Sequence, residues 1–113
     1  MQTNKGQVAR SVRFDIATDK NEEFHTLFQN EVLPILKKQT GFMELLPFFP
    51  ETKNEKVIAV TLWTEKANAE RYGREVFPKV EEILKPYLTS PITYKLYNVE
   101  TTLCEHFVQA LAA

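Results

Sequence analysis

Residues 56–63 read Lys-Val-Ile-Ala-Val-Thr-Leu-Trp, and Thr61 is the one polar side chain between Lys56 and Trp63. Alternate side chains of a strand point to opposite faces. Val57, Ala59, Thr61 and Trp63 therefore take one face of this segment, and Ile58, Val60 and Leu62 the other. A strand that is apolar on both faces has to be covered on both sides. Beyond Thr64 the period changes, and Ala69, Tyr72, Gly73 and Val76 form a helical stripe. The rest of the chain must supply two covers for one sheet.

Taken in order, residues 1–7 are a polar arm. Val8–Ala17 alternates as a strand: Val8, Arg10, Val12, Phe14 and Ile16 share one face, and Ala9, Ser11, Arg13, Asp15 and Ala17 the other. Asp19 followed three residues later by Glu22 predicts a capping box. The helix after it carries Phe24, Leu27, Phe28, Val32, Ile35 and Leu36 on one stripe, with a kink at Pro34 or a break one turn earlier. Gly41 is the expected stop. Phe42–Phe49 reads as a second strand, which Pro47 makes an edge or bulged strand. Residues 50–54 read as a turn, and the doubly apolar strand follows.

The second helix starts near Glu65, breaks at Phe77 and restarts on Pro78, with Val80, Ile83, Leu84, Tyr87 and Leu88 as the restarted stripe. Ile92–Val99 is the last strand, and residues 101–113 read as a tail with a short helix. The whole chain, 1–113, is one domain with its core over 8–99.

The order β-α-β-β-α-β predicts an α+β, ferredoxin-like fold with a four-stranded antiparallel sheet. Right-handed crossovers put both helices on one face of it. The other face then presents Ile58, Val60, Leu62 and a large residue such as Met43 or Phe42. Each such side chain gains about 1.5–3 kcal/mol on burial, so a homodimer through the sheet face is expected. Ser11, Arg13, Asp15 and Lys95 are expected to pair there as a charge network, with Glu44 and Arg13 pairing inside the dimer.

A net charge of −1, from 14 basic and 15 acidic side chains without a basic block, argues against nucleic-acid and membrane partners. The polar start and the absence of a long apolar run predict neither a signal peptide nor a membrane span, and the single Cys104 suits a reducing cytoplasm. Cys104 and His106 are two metal-ligating types without companions, so no metal site is expected. The three glycines form no phosphate-cradling loop, so no nucleotide cofactor is expected either.

The strand Val-Arg-Phe-Asp-Ile-Ala, Gln39–Phe42 at the helix end, the segment from Val60 to Tyr72 and the run Pro78–Leu88 together resemble the dimeric α+β barrel proteins. Within that superfamily the likeness is to the antibiotic-biosynthesis-monooxygenase-like (ABM) group, over about residues 8–99. The resemblance implies a pocket in each subunit between sheet and helices, with Trp63 at the position of the group's strand-end tryptophan. It implies cofactor-free oxygenation of a small aromatic or quinol-type substrate as the leading activity. The heme-degrading branch has an Asn on the first strand and a His on the second helix. Here Val12 and Gly73 stand there, which disfavours heme degradation. Oxygenases of the group often carry an Asn before the tryptophan, where this chain has Ala59. Those three positions favour the alternative, a non-catalytic homodimer that binds a small ligand or assembles.

The candidate residues follow from chemistry. Trp63, Tyr72, Phe14 and Tyr94 are candidates to line a flat aromatic pocket, or else they fill the core. Arg10, on the inward face of the first strand, is a candidate to hold a carboxylate or phenolate, or else it snorkels or pairs with an acid. Tyr72 and His25 are the candidates for handling a proton, His25 also reading as a surface residue of the first helical turn. Glu81 and Glu82 read as a solvated helix face.

Overall fold

The computed structural model describes residues 7–52 and 55–100. Four strands form one antiparallel sheet: β1 (Val8–Phe14), β2 (Phe42–Phe48), β3 (Val57–Trp63) and β4 (Thr93–Asn98), in the spatial order β2-β3-β1-β4. Between β1 and β2 run α1 (Asn21–Leu27), a π-helical segment (Phe28–Val32) and α2 (Leu33–Lys37). Between β3 and β4 run α3 (Lys66–Glu75) and α4 (Phe77–Leu84). This is the ferredoxin-like β-α-β-β-α-β arrangement expected from the sequence, with the doubly apolar β3 in the interior of the sheet.

The core lies between the sheet and the helices. Val8, Val12, Phe14, Val57, Ala59 and Trp63 supply the sheet side, and Phe24, Phe28, Leu36, Tyr72, Val80 and Leu84 the helix side, all at most 8% exposed. Pro34 lacks a backbone N–H, and the helix loosens into its π segment in the turn just before it. Gly41 ends this passage with φ +84°, a conformation that favours glycine. Its carbonyl accepts the Thr64 N–H at 2.9 Å, tying the start of β2 to the end of β3.

Several details differ from the sequence reading. β1 ends at Phe14, not Ala17: Asp15 turns aside, and its carboxylate accepts hydrogen bonds from Lys56 Nζ at 2.8 Å and Ser90 Oγ at 2.7 Å. Those two bonds hold the Asp15 carboxyl below the usual range. The predicted capping box does not form. Asp19 sits in a 3₁₀ turn over Thr18–Lys20, and no side chain caps that turn or α1. The second helix breaks at Val76, one residue earlier than expected, and Phe77 opens α4. Residues 53 and 54 of the predicted turn and the tail after Glu100, with Cys104 and His106, lie outside the described residues.

The largest correction concerns β2. Its register slips between Phe42 and Glu44. The bulge leaves Met43 unpaired and puts Phe42 opposite Trp63, on the inner face, with the two rings 5.7 Å apart edge to face. The outer face of the sheet carries Ile58, Val60 and Leu62, half-buried, beside Leu46 at 39%, Phe48 at 54% and Tyr97 at 46% exposure. Arg13 and Lys95 also point there, and Asp15 pairs with Lys56 rather than joining them in the expected network. No helix is long and apolar enough to cross a membrane among the described residues.

Candidate functional site

Arg10 is the one charged side chain that is buried among the described residues. It is the second residue of the inward run Val8-Arg10-Val12-Phe14 only because a strand alternates: a residue two places from Val8 and Val12 faces the helices whatever its charge. At 4% exposure its guanidinium is held by rings. The guanidinium carbon lies 4.3 Å from the centre of the Phe77 ring, 4.7 Å from Tyr94 and 5.5 Å from Tyr72. Each such contact contributes about 0.5–2 kcal/mol. Among the described residues the guanidinium has no ion pair and no hydrogen-bond partner. Burial lowers its pKa from the ordinary arginine value, and Tyr72, Tyr94 and Glu81 partly oppose that shift. An arginine remains a cation at neutral pH under such a shift.

The guanidinium forms the floor of a cleft of about 690 Å³ between α3, α4 and the edge strand β4. Its volume lies in the range typical of small-molecule sites. Ala69 and Gly73 line it from α3, Phe77 and Glu81 from α4, Tyr94 and Leu96 from β4. Behind the guanidinium, between sheet and helices, a void of about 20 Å³ remains among Val12, Phe28, Ala59, Tyr72, Phe77 and Leu84. That is room for about one water. The large space therefore lies outside Arg10, not inside the core.

The six sequence candidates part company here. Arg10 and Tyr94 line the cleft, and Tyr72 stands directly behind Arg10 on the small void. Burial raises the Tyr72 phenol to about 12, with Arg10 opposing, so Tyr72 is a neutral hydroxyl and not a base at neutral pH. Trp63 is fully buried one layer further in. Its ring lies 5.0 Å from Tyr72, and its N–H donates to Thr61 Oγ1 at 2.8 Å. It borders neither the cleft nor the void. Phe14 is fully buried at the other end of β1, 5.2 Å from Phe24. His25 is exposed on α1 and stacks on Phe49 at 4.8 Å. The structure brings Arg10, Tyr72 and Tyr94 together and leaves Phe14 and His25 elsewhere. It adds Gly73, Phe77 and Glu81, which the sequence reading took as a stripe position, a helix break and a solvated face. The available signal was Gly73 itself, an interior helical glycine of a kind that often marks a close approach. No group of three or more His, Cys, Asp or Glu is placed to hold a metal among the described residues.

This architecture is the ABM-type α+β fold. No protein-family model and no curated protein matches the chain. Solved structures do match it. SnoaB, a cofactor-independent oxygenase from Streptomyces nogalater, superimposes with a TM-score of 0.69 at 20% identity, covering 88% of this chain and 99% of that one. A candidate antibiotic biosynthesis monooxygenase from Nitrosomonas europaea gives 0.69 at 11% identity, over 88% and 96% of the two chains. The heme-degrader MhuD from Mycobacterium tuberculosis gives 0.67 at 13% identity, over 82% and 95%. At these identities the likeness establishes the fold and leaves the activity to the site.

Proposed function

We propose that this chain is a small ABM-type oxidoreductase, a cofactor-independent monooxygenase that takes an aromatic or quinol-type substrate in the Arg10 cleft. The observation that carries this reading is a buried cation without an ion pair among the described residues, framed by three aromatic rings on an open cleft. Such a site favours a flat, electron-rich ring and stabilises its deprotonated form. Of the two carboxylates that line the cleft, Glu70 and Glu81, we assign Glu81 the phenolic proton. The anion then reduces dioxygen: one oxygen atom enters the ring as a carbonyl, the other leaves as water, and the ring carbon and its hydroxyl supply the two hydrogens. The chain's part is deprotonation, orientation and exclusion of water. With Gly73 against Arg10 and Val12 on the small void, the site lacks the histidine and asparagine of the heme-degrading branch.

Oxygen uptake with 1-naphthol, followed with the appearance of 1,4-naphthoquinone, tests the reading. Uptake above autoxidation that is lost in Arg10→Met supports it. A folded protein that binds naphthols without oxygen uptake moves the assignment to the second reading, a non-catalytic ligand-binding homodimer. The nearly filled void and the apolar Val12 and Ala59 on it favour that reading.

In both readings the chain assembles as a homodimer through the outer sheet face, supported by the apolar strip from Phe48 to Tyr97, and works in the cytoplasm, as the single Cys104 suggests.

A further inference from the structure

Gly73 is a costly residue for its position. It lies inside α3, where glycine is less favourable than alanine by about 1 kcal/mol. Its φ is not in the left-handed region, so the backbone does not require glycine there. What it meets does. A Cβ at position 73 would lie 3.2 Å from Nε and 3.3 Å from Nη2 of Arg10. These two nitrogens form the side edge of the guanidinium, the fork whose parallel N–H donors match the two oxygens of a carboxylate. Gly73 and Arg10 both line the cleft.

We infer that Gly73, by carrying no Cβ, leaves the space beside the Nε–Nη2 edge of the buried Arg10 to the carboxylate of a planar aromatic acid, which reaches this fork from the cleft. The inference rests on the reading of this cleft as a small-molecule site and not on its oxygenase chemistry. A phenolate offers one oxygen and uses one donor of the pair, whereas a carboxylate uses both. The rings of Phe77 and Tyr94 flank the guanidinium and give the attached ring a flat, apolar seat. Gly73 is thus a positioning residue, acting through Arg10.

The test is calorimetric binding of 2-naphthoate, 2-naphthol and 2-naphthamide to the full chain, with the Arg10 Nε–H resonance followed by NMR. The naphthoate should bind about tenfold or more tightly than the amide and shift that resonance, as expected for a charge-assisted pair of bonds. Gly73→Ala should weaken naphthoate binding about tenfold in a protein that still folds, as its circular dichroism and cooperative thermal unfolding show. Arg10→Lys, which keeps the charge and loses the fork, should weaken it similarly. No naphthoate binding to the folded wild-type protein, equal binding of the amide, or an unaltered Gly73→Ala affinity would each overturn the inference. Oxygen uptake from naphthol by a protein indifferent to naphthoate leaves the oxygenase reading standing and this one not. Naphthoate binding without uptake does the reverse.

Discussion

Arg10 and Phe77 meet across the break between the two halves of the second helical segment, the guanidinium carbon 4.3 Å from the ring centre. The break follows from Pro78, which has no N–H to donate into the helix; Val76 still donates to the Tyr72 carbonyl at 2.9 Å but sits at φ −114°, and Phe77 beyond it packs on Arg10 of β1. A charge in this place trades desolvation against three ring contacts. Arg10→Met removes both terms and keeps most of the volume, so stability in urea should stay within about 1 kcal/mol of wild type. A loss of several kcal/mol would show that the guanidinium holds the fold together instead of being held by it.

The Tyr72 phenol, raised to about 12 against an unfolded value of about 10, predicts a loss of stability at high pH. Between these two values the unfolded chain releases the proton and the folded one retains it. The contribution is fully present below pH 10 and disappears as pH rises through 12. Its full size is about 2–3 kcal/mol. Urea unfolding between pH 8 and 11 should show the decline in wild type and a shallower one in Tyr72→Phe. Identical pH slopes in the two proteins would rule the buried phenol out as its source.

Gly41 and Asn68 fit against each other with no room for a side chain. A Cβ on Gly41 would collide with the Asn68 amide, and the backbone there has φ +84°. Gly41→Ala should cost about 1–3 kcal/mol from the two effects together. Adding Asn68→Ala should recover the steric part and leave the conformational part, which a double-mutant cycle in urea resolves. If the two substitutions are simply additive, the contact carries no strain.

The outer sheet face should carry the homodimer. Sedimentation or light scattering is expected to give twice the 13.1 kDa chain mass. Leu46→Glu should bring the mass back to one chain without unfolding it, since Leu46 is 39% exposed in the single chain. A wild-type protein that remains monomeric at high concentration leaves the strip around Phe48 and Tyr97 without this partner.

The residues alone set the order of elements and the two faces of most strands. Periods of two and of about 3.6 are local properties, legible wherever a few residues repeat. The doubly apolar β3, the loosening before Pro34 and the stop at Gly41 were all of this kind. Where a local irregularity intervened, the reading slipped: the bulge at Met43 moved Phe42 from the outer to the inner face.

The sequence also marked Arg10 as inward, but the period of a strand does not say which helix that face meets. The site joins Arg10 of β1, Gly73 of α3, Phe77 and Glu81 of α4 and Tyr94 of β4, residues scattered over most of the chain. Only the packing of α3 and α4 against β1 and β4 decides that they converge. The same packing fills the space beside Trp63 with Tyr72 and Phe42, and leaves the open volume on the far side of Arg10.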